Sequence, residues 1–183
     1  YATYLINKNT NHIVGIQKVL EKLPNDKKSS FNKKEIDELY IKSLLEIKTS
    51  VKGKLDILTN KKVLLIASGK SVKEDIDALI QKVNHDDYIT IALNHNPDFE
   101  CDYYIFSNQK RFDEFKYLID NNKLVITSNI FSELKLKFVL DFKELAYRDN
   151  KIIQNVALIT LNYLINNQVY NVEIAGLDGY SQN

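Results

Sequence analysis

Residues 63–67, Val-Leu-Leu-Ile-Ala, form an unbroken apolar run, and the chain turns directly after it through Ser68, Gly69, Lys70 and Ser71. An apolar run without polar alternation is what a strand buried on both faces produces. A helix is expected from Ser71. Ser71 and Glu74 stand at the spacing of a capping box, and Val72, Ile76, Leu79, Ile80 and Val83 recur on one helical face. Buried strand, short turn and capped helix together read as the first βα unit of a parallel sheet. In such a unit the turn carries free backbone N–H groups to the sheet's carboxyl edge, where phosphate binds well.

Three motif readings compete for the turn. A P-loop needs a glycine five residues before Gly69, and Leu64 stands there. A dinucleotide fingerprint needs three glycines and an acid ending the second strand, whereas this turn has one glycine and the second strand ends in Asn94. What remains is a one-glycine anion turn with Lys70 available to neutralise a phosphate. The plainer alternative is a structural turn with a solvated lysine.

Further along, the chain alternates strand and helix patterns. Residues 88–93 and 102–107 read as strands, and a helix with Phe112, Phe115, Leu118 and Ile119 on one face follows them. Residues 124–127 form a fourth strand and residues 172–177 the last, with an almost wholly apolar helix over 151–166 between them. Residues 130–150 mix aromatic and charged side chains without a clean period, although Phe138-Val139-Leu140 fits a short strand. Before residue 50 the pattern is helical, with Ile13, Ile16, Leu20 and Leu23 on one face, and Ile36, Leu39, Tyr40 and Leu44 on another. Residues 48–62 read as a polar linker loosened by Gly53. The expected fold is therefore α/β, a Rossmann-like, doubly wound, mostly parallel sheet over 51–183, preceded by a helical segment over 1–50.

Charge narrows the partners. Over 183 residues, 25 basic side chains stand against 24 acidic ones, so the chain lacks the field of a typical nucleic-acid binder. Its apolar runs are too short for a membrane span, which needs about 20 residues. The single Cys101 permits no internal disulfide and no cysteine metal cluster, which fits a cytoplasmic protein. With no methionine and a start at Tyr1, the chain reads as a fragment of a longer protein.

Every strand that can be placed ends in small polar residues: Ser68 and Ser71, Asn94, Ser107 and Asn108, Ser128 and Asn129, and Asp178. Strands commonly end this way because such residues make turns and cap helices. Together, however, uncharged amides and hydroxyls suit a sugar, a base edge or a phosphate, and not a divalent metal that wants several carboxylates. Asp178, the one acid, suits a ribose hydroxyl or a helix cap. For acid–base work His95 stands at the correct end of strand two, with Tyr180 as a second candidate. His85 falls at the opposite end, and His12 has no partner nearby.

Two resemblances arise from longer blocks. Residues 1–6, 16–20 and 35–40 resemble helices trailing the barrel of hydroxymethylglutaryl-CoA-lyase-like aldolases of the 4-hydroxy-2-oxovalerate type. Residues 61–71, 106–111 and 174–180 resemble blocks of the domain that follows in a subgroup associated with surface-polysaccharide genes. The resemblance implies a lyase as the parent protein, with its barrel domain as a partner. Divalent metal and aldolase residues would belong to that barrel, and no cofactor is expected here. A more distant similarity is to bacterial sialyltransferase-like folds that bind a cytidine nucleotide sugar. It implies Ser68, Gly69 and Ser71 near phosphate, with Asn94, Asn108 and Asp178 near ribose, base or sugar. Lys70 departs from that pattern, which has proline there, and a later catalytic histidine has no counterpart. The expected ligand is a nucleotide, nucleotide sugar or other phosphorylated molecule. The alternatives are a glycosyltransferase and a module that only packs or forms homo-oligomers.

Overall fold

The computed structural model describes residues 51–55, 61–85, 87–146 and 155–178. The expected helices before residue 50 lie outside these residues. Six strands, β1 (Lys62–Ile66), β2 (Tyr88–Leu93), β3 (Tyr103–Phe106), β4 (Leu124–Thr127), β5 (Phe138–Leu140) and β6 (Val172–Ala175), form one sheet. Its order is β5-β4-β3-β2-β1-β6, and every pairing is parallel. The Rossmann-like α/β expectation holds, including the short strand at Phe138.

From β1 to β5 the chain steps across the sheet in one direction, and it then returns to lay β6 on the far side of β1. Parallel crossovers are right-handed, so reversing direction moves the connecting helices to the other face. Helices α1 (Lys70–Glu74), α2 (Ile76–His85) and α3 (Gln109–Phe115) accordingly share one core, in which Val72, Leu79 and Phe112 meet Leu64 and Ile66. Helices α4 (Phe142–Leu145) and α5 (Val156–Asn166) cover the other face, where Phe142, Ile159 and Leu164 meet Val63 and Leu65. Adjacent β1 residues thus feed two cores, which is why the strand had to be apolar throughout. The reversal places the topological switch point between β1 and β6, the position where sheets of this kind bind ligands beyond their strand carboxyl ends.

Several local expectations are corrected. The helix after β1 is two helices with a break at Asp75, and its cap is Gly69 with no side-chain hydrogen bond. Ser71 lies inside the first turn and Glu74 pairs with Lys70, so the capping box does not form. Helix α3 ends at Phe115, and Leu118 stands 69% exposed where a buried face was expected. Residues 51–55 of the expected linker pack onto the sheet edge. Lys52 and Val139 exchange backbone hydrogen bonds of 3.0 and 2.9 Å, and Leu55 is buried. Gly53, at φ +62°, is there for space as well as for its turn, since a Cβ would come within 2.6 Å of the Lys137 carbonyl. Among the described residues no helix is long and apolar enough to cross a membrane.

Candidate carboxyl-edge site

At the switch point the ends of β1 and β6 are drawn together. Ala67 N donates to Ala175 O and Gly69 N to Gly176 O, both at 2.9 Å. Neither glycine has room for a side chain, since a Cβ on Gly69 would meet Gly176 and Asp178 and one on Gly176 would meet Ala67 and Val72, and Gly176 at φ +73° uses the left-handed region that favours glycine. The turn after Gly176 delivers Asp178. Its carboxylate accepts from Ser71 N at 2.7 Å and from the Ser71 hydroxyl. Those bonds, the hydroxyl first and the amides of Ser71 and Lys70 after it, hold the Asp178 carboxyl below the usual range, so it is ionised at neutral pH.

The free donors that the sequence suggested for a phosphate at this turn are therefore already met by an anion from the chain itself. Asp178 caps α1 in place of the missing local cap. Lys70 points its ammonium at Glu74, 2.8 Å away, with its side chain 85% exposed. Ser68 is exposed. Gly69 and Ser71 are half-buried, and Asp178 presents an exposed carboxylate held by Ser71.

The other strand ends are stitched sideways. Asn94 takes the left-handed conformation (φ 58°) and its Oδ1 accepts from the buried Ser107 amide at 2.9 Å. Asn129 Nδ2 donates to the Ser107 carbonyl at 3.2 Å, and Ser128 Oγ accepts from Phe142 N at 3.1 Å. Asn108 caps α3 by accepting from Arg111 N at 3.1 Å. Asn94, Ser107 and Asn108 thus come together over β2 and β3, each with a backbone partner, while Ser71 and Asp178 form a second group over β1 and β6.

His95 follows Asn94 and sets its Nδ1 3.1 Å from the Leu93 carbonyl. A carbonyl only accepts, so Nδ1 carries the proton and the neutral ring has an acceptor at Nε2. Burial first, then Arg111 and Lys73 nearby, push the His95 pKa below the ordinary histidine value, so the ring is neutral at pH 7. Arg111 also pairs with Glu114 at 2.9 Å.

Arg111, Lys73 and Gln109 were not among the expected site residues. The sequence signals for Arg111 and Gln109 were their place just after the Ser-Asn that ends β3 and within the 106–111 block. Cys101 is buried with its thiol pushed up to about 12, which leaves it inert. No group of three or more His, Cys, Asp or Glu among the described residues could hold a metal ion. A separate cavity of about 140 Å³, lined by Gly53, Leu140, Asp141, Leu145, Tyr163 and Asn167, lies at the β5 end of the sheet. Tyr180 lies outside the described residues. Comparison of the chain with protein-family models, curated proteins and solved structures gave no match.

Proposed function

We propose that this chain binds a nucleotide, nucleotide sugar or related phosphorylated molecule along the carboxyl edge of its sheet. The observation that carries the reading is Asp178, an exposed carboxylate held ionised at the switch point by Ser71, 2.7 Å from the Ser71 amide. A fixed carboxylate is a hydrogen-bond acceptor for sugar hydroxyls. It also repels phosphate from the α1 turn. The phosphate accordingly belongs toward the end of β2, where Lys73 and Arg111 both act on His95. The Asn94 and Asn108 side chains, fixed on the Ser107 and Arg111 backbone N–H groups, make a preformed polar rim there. Following the family resemblance, the chain serves as an accessory domain beside a lyase barrel linked to surface-polysaccharide metabolism. It recognises a ligand and leaves the lyase chemistry to the barrel.

A second reading is glycosyl transfer, and the neutral His95 with a free-acceptor tautomer supports it. General-base work needs an imidazole in that state within hydrogen-bond reach of the acceptor hydroxyl. The two readings separate in one set of measurements. Calorimetry of the chain with CMP, UDP and CMP-sugars should show saturable binding that weakens in Arg111→Ala and hardly changes in Lys70→Ala. Turnover of a nucleotide sugar that is lost in His95→Gln would establish the transferase. No response to any nucleotide would overturn both and leave a packing or oligomerisation module.

A further inference from the structure

The loop after β4 carries an exposed aromatic ring whose backbone is held with unusual care. Phe131 is 79% exposed, more than any other large apolar side chain among the described residues. Its N–H donates to Gln109 Oε1 at 2.9 Å, and its carbonyl accepts from Gln109 Nε2 at 3.1 Å. One side-chain amide thus grips both polar groups of a single residue, as a neighbouring strand would. The next residue back, Ile130, is buried, and its N–H bonds the Thr127 carbonyl at 2.9 Å. The loop is therefore pinned from below and from the side, while the ring stays in water. A ring left unburied by a fixed backbone has no role in the core.

Gln109 is the first residue of α3, directly after Asn108, so Phe131 stands at the same carboxyl edge as the proposed site. We infer that Phe131 is the stacking platform for the base of the proposed nucleotide, with Gln109 as its positioning residue; this rests on the reading above. The spacing fits one orientation. From β6, which leads to Asp178, to β3, which leads to Gln109, is three strand intervals, about 14 Å at the usual separation. The cations around His95, at the end of β2, lie between. A guest with sugar hydroxyls at one end, phosphate in the middle and a flat base at the other matches that order, whereas a free sugar phosphate reaches only part of it. Tyr117 and Leu118 are also exposed, but they sit at the opposite end of α3, with the Tyr117 hydroxyl donating to Glu133 at 2.9 Å.

The test is calorimetry of the full chain and of Phe131→Ala, Phe131→Trp and Gln109→Ala with CMP, UDP and ribose 5-phosphate as the base-free probe. Stacking of one base corresponds to about 5- to 150-fold in affinity. Phe131→Ala should weaken CMP and UDP within that range and leave ribose 5-phosphate unchanged. Phe131→Trp should keep nucleotide affinity, and Gln109→Ala should lose part of it. Because the ring is exposed, the melting temperature of Phe131→Ala should match that of the parent. If the parent chain binds CMP and Phe131→Ala binds it equally well, the platform is wrong and the site survives. An equal loss for ribose 5-phosphate also overturns it. If the parent binds none of the three probes, platform and site fall together.

Discussion

Replacing Gly69 by alanine should cost about 1.5–4.5 kcal/mol, all of it set off by steric overlap. Gly69 has φ −68° and ψ 162°, a conformation open to any residue, so no backbone strain enters. A Cβ there would come 2.5 Å from Asp178 Oδ2 and 2.7 Å from the Gly176 carbonyl carbon, and closer still to its oxygen. None of these can swing aside as a flexible side-chain tip would, because Asp178 is itself fixed by Ser71. The end of β6 must retreat, breaking the 2.9 Å bond from Gly69 N to Gly176 O. Overpacking of this kind costs about 1–3 kcal/mol and a lost backbone hydrogen bond about 0.5–1.5 kcal/mol. Gly176→Ala should cost more. Its Cβ would stand 2.5 Å from both the Ala67 carbonyl oxygen and Val72 Cγ2, and its φ of +73° adds about 1–2 kcal/mol for an L side chain. Urea unfolding followed by circular dichroism ranks the three proteins, and hydrogen exchange at the Ala67 and Gly69 amides reports whether β6 has moved. A Gly69→Ala protein within about 0.5 kcal/mol of the parent, the usual range of neutral surface changes, would refute the close packing of the two strand ends.

Two further changes probe the same edge. The folded-state pKa of Asp178 is depressed below the unfolded value near 3.8, so its contribution is complete above that value and fades as pH falls through the folded one. Urea midpoints of the parent and of Asp178→Asn should run parallel above about pH 5 and converge below 3.8; a constant gap down to pH 2 would mean that the charge is not what Ser71 holds. Asn94→Ala loses the acceptor for the buried Ser107 amide, about 1–3 kcal/mol, and leaves alanine at φ 58°, about 1–2 kcal/mol more. Asn94→Gly loses only the first, so it should unfold at a higher urea concentration than Asn94→Ala, and equal midpoints would remove the backbone term.

The strands were legible because each is a short apolar or β-branched run whose burial on two faces is written into its composition. Phe138-Val139-Leu140 could be read from three residues for that reason. Helix limits were less legible wherever the deciding contact is distant in sequence. Ser71 and Glu74 have the local spacing of a capping box, but Asp178, 107 residues away, takes the Ser71 donors, and Glu74 turns to Lys70. Leu118 matched the α3 period, but the helix had ended at Phe115. Gly53 read as a linker residue because sequence shows a glycine's freedom and not the Lys137 carbonyl pressed against it. Phe131 was invisible as a site residue, since exposure of an aromatic in a segment without periodicity depends on Gln109 gripping its backbone.

The polar strand ends have one consequence that their composition alone could not give. Asp178 to Ser71, Asn94 and Asn129 to Ser107, and Ser128 to Phe142 are separate side-chain bonds along the edge, each meeting a backbone group. A guest that displaced any of them would leave a protein donor or acceptor unpaired, which costs about as much as a new hydrogen bond returns. On the proposed reading, recognition falls to groups outside these bonds: the Asp178 carboxylate, the Lys73 and Arg111 cations, the Nε2 atom of His95 and the ring of Phe131. The stitched rim fixes their spacing before any ligand arrives, so little ordering remains to oppose binding. Loosening the rim at Asn94 should therefore weaken a nucleotide even if Asn94 never touches it.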